Sequence, residues 1–201
     1  MIVQNIEIAN VQEVKLRLGS LKSKAPTVMC RAVNDAISKA FTETKRSIAH
    51  DYHITQKNVA PHIQKIKANK SSLKGAISAK GERISLYKFK FKNGNPISAA
   101  VLGENGPKQL NGDPKAFIAV MKNEHEGIFV RKGLYKKKRK KMEYGKKRKV
   151  NAHNEQIRQL FGPSVPQMMK NETVMDHIRA EASETLQRRL EHHINYILQK
   201  G

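Results

Sequence analysis

Between Arg131 and Lys149 the chain reads RKGLYKKKRKKMEYGKKRK, twelve Lys or Arg and one Glu in nineteen positions. Cations at this density suit the neutralisation of phosphate or carboxylate. Arg131, Lys132, Lys136, Lys137, Lys138, Arg139, Lys140, Lys141, Lys146, Lys147, Arg148 and Lys149 are therefore the candidate nucleic-acid-binding residues. Each phosphate they neutralise would release counterions and steepen the salt dependence of binding. Packed this tightly, they suit the sugar–phosphate backbone and have no spacing matched to base edges, so the expected grip is blind to sequence. Tyr135 and Tyr144 flank the densest part and offer stacking on single strands. Two other readings fit the same run. One is a solvated loop held open by its own repulsion; the other is a patch for an acidic protein.

The other reactive side chains are thinly spread. The 17 acids are scattered, with no carboxylate cluster suited to two metals, which sets a nuclease aside. Cys30 is the single cysteine, so no internal disulfide forms, and a reducing compartment fits. It lies inside an apolar helical pattern, where a structural role outweighs a nucleophilic one. Ser47 and Ser98 have no His and acid partners in a readable motif. The turns NGNP and GENGP lack both the strand-to-helix setting and the terminal Lys-Ser/Thr of a phosphate loop. None of the eight His pairs with a Cys at metal-site spacing. His50 and His53 are three apart near a helix end, and His192 and His193, being adjacent, should point apart on a helix. The expectation is a non-enzymatic protein with no catalytic residues, metal, cofactor or small-molecule substrate.

The elements that carry these residues follow from periodicity. IVQNIEIAN alternates as a short strand, and Asn10 can cap a helix to about Lys22 through Val11, Val14, Leu18 and Leu21. Pro26 suits a first turn, and the following stretch is the clearest helix of this half. Met29, Val33, Ile37, Phe41, Thr44 and Ile48 form its stripe, while Ala32, Ala36, Ser38 and Ala40 would let another helix approach closely. Thr55 should cap a short helix ending by Pro61. From Ile63 to Val130 the texture becomes that of strands: IQKIKA, LKGAISA, ISLYKFKF, PISAAVL, AFIAVM and GIFVRKG, separated by turn formers. In ISLYKFKF, Leu86, Lys88 and Lys90 alternate with Tyr87, Phe89 and Phe91. A five- or six-stranded antiparallel sheet or half-barrel is expected.

After the basic run, Ser164 and Gln167 have capping-box spacing and Pro166 falls in the first helical turn. The helix runs from near Val165 to Gln199, with room for a break around Lys170 to Glu172. Its stripe is Val174, Ile178, Ala182, Leu186, Leu190, Ile194 and Ile197. The fold class is thus α+β, with long N- and C-terminal helices framing an antiparallel sheet and a basic loop. The regions are 1–62 (strand and helices), 63–130 (β), 131–150 (basic loop) and 151–201 (turn and final helix), expected to form one structural domain.

The 201 residues allow a sizeable core, although only 38% are apolar and 5% aromatic. A net charge of +22, half of it in the basic run, implies a polyanionic neighbour. No stretch approaches the roughly 18 apolar residues of a spanning helix, so a membrane is the weakest partner. The start, MIVQNIEIANVQEVKL, does not read as a secretory signal, and synthesis in a cytoplasm is expected.

Four segments, in order, resemble the phage and prophage minor tail protein Z family, whose members are tail completion proteins of long-tailed phages. RAVNDAISKAFTETKRSI is similar to that family's small-residue helix with a central Asn, here Asn34. ERISLYKFKF resembles its R-I-P-L-x-x-F strand, with Ser85 for Pro. KAFIAVMKNEHEGIFVRKG resembles its G-A-F-I-A…G-V-F-x-R hairpin, with Lys115 for Gly. IRQLFGPSVPQMM is close to I-R-E-L-Y-G-P-S-V-P-Q-M, with Gln159 for Glu and Phe161 for Tyr. This last motif is the specific one, and its residues are Ile157, Arg158, Leu160, Phe161, Gly162, Pro163, Ser164, Val165, Pro166, Gln167 and Met168. The likeness spans about residues 25 to 198. The extra length and charge of Arg131 to Lys149 depart from it. The resemblance implies a structural virion protein at the head-proximal end of the tail, helping to complete the tail and position the genome end. It further implies a homo-oligomeric ring, of sixfold symmetry, whose partners are the tail terminator, tail tube or neck proteins and phage DNA. The alternative is a free nucleic-acid-binding protein that packages DNA without sequence preference.

Overall fold

A computed structural model describes residues 1–8, 10–112, 115–121, 124–134 and 155–200. The chain divides into two units, one made of Met1–Arg83 with Pro163–Gly201, the other of Ile84–Gly162. The first begins with strand β1 (Ile2–Glu7) and helix α1 (Val11–Leu18). Asn10 caps α1, its side-chain oxygen accepting from the Glu13 N–H at 3.2 Å, and Gly19 ends it at φ +52°, a conformation that favours glycine. One irregular 3-10 stretch, Gly19–Lys24, leads into α2 (Ala25–Asp51), which has Pro26 in its first turn.

Helix α2 is the centre of this unit. Met29, Val33, Ile37, Thr44 and Ile48 are buried along it, as are Ala32, Ala36 and Ala40; Ser38, by contrast, faces solvent and Phe41 is only half-buried. The three alanines carry so little side chain that α5 (Glu172–Lys200) packs along this face, burying Val174, Ile178, Ala182 and Ile194. At one end Val14, Leu18, Ala25, Val28, Met29 and Ile194 form a common cluster, with Leu190 and Ile197 partly buried against it. The short helix α3 (Gln56–Val59) follows Thr55, whose backbone is extended as in a cap but whose side chain makes no capping hydrogen bond. Helix α4 (Val165–Met169) is separate from α5. Asn171 fills the break, its side-chain oxygen accepting from the Thr173 N–H at 3.2 Å.

Strand β3 (Lys74–Ala79) pairs with both β1 and β2 (Ile63–Ile66) in an antiparallel sheet of order β1-β3-β2. Gln4 and Lys65 flank Ile77, a buried residue, from either side. β3 crosses α2 closely at Gly75. A Cβ there would strike the Ile37 Cδ1 and come within 2.8 Å of the Ile66 carbonyl oxygen.

The second unit has two further three-stranded antiparallel sheets. One contains β4 (Lys90–Lys92), β5 (Ser98–Ala100) and β6 (Lys108–Gln109), the other β7 (Phe117–Val120), β8 (Glu126–Leu134) and β9 (Glu155–Gln159), each in sequential order. The expected single sheet of five or six strands, or half-barrel, is therefore replaced by three small sheets. ISLYKFKF is not continuous strand, because Leu86–Lys88 form a 3-10 turn. Leu86 and Phe89, three residues apart, are both buried, and a turn satisfies that spacing where strict alternation does not. Residues 84–86 then run antiparallel to 160–162. The Leu86 N–H donates to the Leu160 carbonyl at 3.0 Å, and the Gly162 N–H to that of Ile84 at 2.8 Å.

Gly75→Ala is expected to lower stability by about 1–3 kcal/mol in urea unfolding, as overpacking does. Adding Ile37→Val should recover only part of this, since the Ile66 carbonyl cannot move as a side-chain tip can. Full recovery would locate the clash in Ile37 alone.

Candidate nucleic-acid interface

Of the twelve candidate cations, the structure describes Arg131 and Lys132, both exposed near the end of β8. Lys136, Lys137, Lys138, Arg139, Lys140, Lys141, Lys146, Lys147, Arg148 and Lys149 lie outside the described residues, as do Tyr135 and Tyr144. The run therefore departs from β8 and the chain returns as β9, whose Arg158 pairs with Val130 and is also exposed. Side chains alternate along β8, so Arg131 shares a face with Phe129 and with Phe117 of β7. The Phe117 and Phe129 rings are 6.2 Å apart, and the Arg131 guanidinium lies 5.4 Å from the Phe117 centroid. Stacking of this kind orients a guanidinium, whose N–H donors all lie in its plane. The β4-β5-β6 sheet adds Lys90 and Lys92, two residues apart on one face and exposed, and Lys108 on the opposite face, also exposed. These lysines went unread as site candidates because only their place in a sheet groups them.

The motif residues divide between the two units. Ile157, Arg158 and Phe161 are exposed, with Leu160 half-buried, whereas Ser164, Val165, Pro166 and Met168 are buried and Gln167 is exposed. Gly162 is glycine for want of space and not for its φ. A Cβ would lie 2.6 Å from the Phe89 ring. Ser164 and Gln167 form the capping box at the start of α4, the Ser164 N–H donating to the Gln167 Oε1 at 2.9 Å and its hydroxyl to the same atom at 3.2 Å.

A second polar site lies in the first unit, a cleft of about 500 Å³ lined by residues of α2 and α5. Here Ser47, read as partnerless, has the His177 Nδ1 at 3.3 Å from its hydroxyl, a pairing across 130 positions that no local motif announces. Ser47 is inside α2, whose backbone N–H groups are bonded within the helix and cannot stabilise an oxyanion. The nearby Glu43 carboxylate, buried, is held by Lys39 at 2.9 Å and Arg46 at 3.0 Å, and Lys39 also reaches Glu181 of α5 at 3.2 Å. The Lys39 hydrogen bond, aided by the charges of Lys39, Arg46 and His177, holds the Glu43 carboxyl below the usual glutamate range against the opposing effect of burial. The cleft is a clasp between helices. His192 and His193, expected to point apart, meet edge-on with ring centroids 5.4 Å apart, and His193 bonds to Asp35 at 3.1 Å. Among the described residues no three His, Cys, Asp or Glu side chains are grouped to hold a metal ion, and no described helix is long and apolar enough to cross a membrane.

Comparison with protein-family models, with curated proteins and with solved structures finds no match to this chain.

Glu43→Gln is expected to cost about 1–3 kcal/mol at neutral pH, through loss of two charge-assisted bonds to a buried group. Because the folded-state value is depressed, the stabilisation is full above pH 4.5 and disappears as pH falls through the lowered value. Urea unfolding of both chains across acidic pH checks this. A gap that does not change with pH contradicts it.

Proposed function

We propose that this chain is a non-enzymatic structural protein of a phage virion, a tail completion protein at the head-proximal end of the tail. In that place it helps to complete the tail and to position the end of the genome, in a homo-oligomeric ring of sixfold symmetry. The reading rests on the likeness of Ile157–Met168 to the minor tail protein Z family, and one observation carries it further. Phe161 is 49% exposed although its backbone is fixed by the bridge to Ser85 and followed by Gly162, packed under Phe89. Ile157, four residues earlier, is 41% exposed. An apolar side chain held outward on a rigid backbone suits a protein partner better than solvent. Two departures from the family pattern also fit together. The Gln159 amide that stands for Glu donates to the hydroxyl of Ser85 that stands for Pro, at 2.8 Å.

A second reading is a free, sequence-independent nucleic-acid-binding protein, and the charge distribution favours it. The Ile84–Gly162 unit alone holds 19 Lys or Arg against 6 acids. Phe161→Ser separates the two readings. On the tail reading the variant keeps its unfolding free energy to within about 0.5 kcal/mol, as exposed sites do, but gives tails that fail to join heads. Normal tails and full infectivity would favour the free DNA-binding protein.

The basic run belongs to both readings and has its own test. If Lys136–Lys141 and Lys146–Lys149 hold DNA, with about half of these ten contacting phosphate, log affinity should fall with log salt at a slope of about −4 to −5. Replacing all ten with Gln should flatten that slope and leave the fold intact. A chain showing no salt-sensitive affinity for duplex DNA at physiological ionic strength would instead assign the run to an acidic protein.

A further inference from the structure

The first unit holds a cluster of cations that no acid answers among the described residues. Lys45 of α2 and Lys65 of β2 both lie over the Phe41 ring, at 4.7 and 4.5 Å from its centroid. Two ammonium groups sharing one ring are closer than a Debye length, about 10 Å at 0.1 M, so each feels the other with little screening. The ring attracts both, and their mutual repulsion remains. An anion that bridges them relieves it.

The surrounding residues leave that position open. Each acid of α2 is already paired elsewhere: Asp35 with Arg189 and His193, Glu43 with Lys39 and Arg46, and Asp51 with His50. From residue 52 to residue 81 the chain has six Lys and no acid. Of these six, Lys74 is paired with Glu7 at 2.8 Å, and among the described residues Lys65, Lys67 and Lys70 are in no ion pair. The last two are exposed on the loop that joins β2 to β3.

That loop is held in a defined shape. The Ala68 N–H donates to the Asn34 Oδ1 at 2.9 Å and the Asn34 Nδ2 donates back to the Ala68 carbonyl at 3.2 Å, fastening the loop to α2. Asn69 then closes the turn by accepting from the N–H groups of Ser71 and Ser72, at 3.0 and 2.6 Å. Lys65 and Lys67 are two residues apart on near-extended backbone, a separation of about 6.6 Å, comparable with that of neighbouring phosphates along a strand. The geometry points to a second nucleic-acid contact, in which Lys45, Lys65, Lys67 and Lys70 hold the phosphate backbone. It lies on the other unit from the basic run and does not depend on it.

The test uses the full chain with the ten run cations replaced by Gln, a labelled duplex, and titrations from low to physiological salt. This protein should still bind the duplex. Adding Lys45→Gln, Lys65→Gln, Lys67→Gln and Lys70→Gln should reduce the slope by about 0.9 for each phosphate no longer neutralised, up to roughly 3.6, with an unchanged melting temperature. Arg at the same four positions should restore the slope. The inference is overturned if the run-neutralised chain does not bind the duplex, or if the four substitutions leave its slope unchanged. Binding of polyglutamate in preference to the duplex would also overturn it, giving the surface to an acidic protein. Failure of the run to hold DNA shows separately, as an unchanged slope when the ten Gln are introduced into the otherwise natural chain.

Discussion

Close contact between α2 and α5 is the constraint on which the first unit depends. Ala32, Ala36 and Ala40, all fully buried, give a helix face thin enough for α5 to lie against it. The same helix receives β3 at Gly75, where any side chain would meet Ile37 and the Ile66 carbonyl. One helix thus serves a second helix and a sheet, and it does so because residues on each contact are small. Larger residues at these points would separate the elements and open the core.

Charge is arranged around this frame with a clear division. Four acids of the helices are used in clasps between elements: Glu43 and Glu181 through Lys39, Asp35 with Arg189 and His193, and Glu191 with Arg17. The β2–β3 loop differs, since Lys67 and Lys70 stand exposed in a stretch that contains no acid. The net charge of +22 is unevenly distributed along the chain, half of it falling between residues 131 and 149.

Much of the frame was legible in the sequence. Asn10, Pro26 and the Ser164–Gln167 box mark helix starts through local chemistry, and the buried stripes of α2 and α5 repeat at helical spacing. The sheets were harder to read, since β1 pairs with β3 across some seventy residues and the polar stretch EQIRQ becomes a strand only by lying beside β8. Leu86 and Phe89 misled for a local reason, because a 3-10 turn buries both where alternation would expose one. In the candidate sites, the basic run was evident from composition alone. The Ser47–His177 pair and the Lys45–Phe41–Lys65 cluster were not, because their members come from separate elements.

The proposed place for this chain is the head-proximal end of the tail, between the tail and the DNA-filled head. A cryo-EM reconstruction of the neck of intact virions tests this most directly. A ring of this chain is expected at the head-proximal end of the tail, with Phe161 covered by a neighbouring subunit and basic surfaces toward the DNA. A neck in which every density is assigned to other proteins would contradict it.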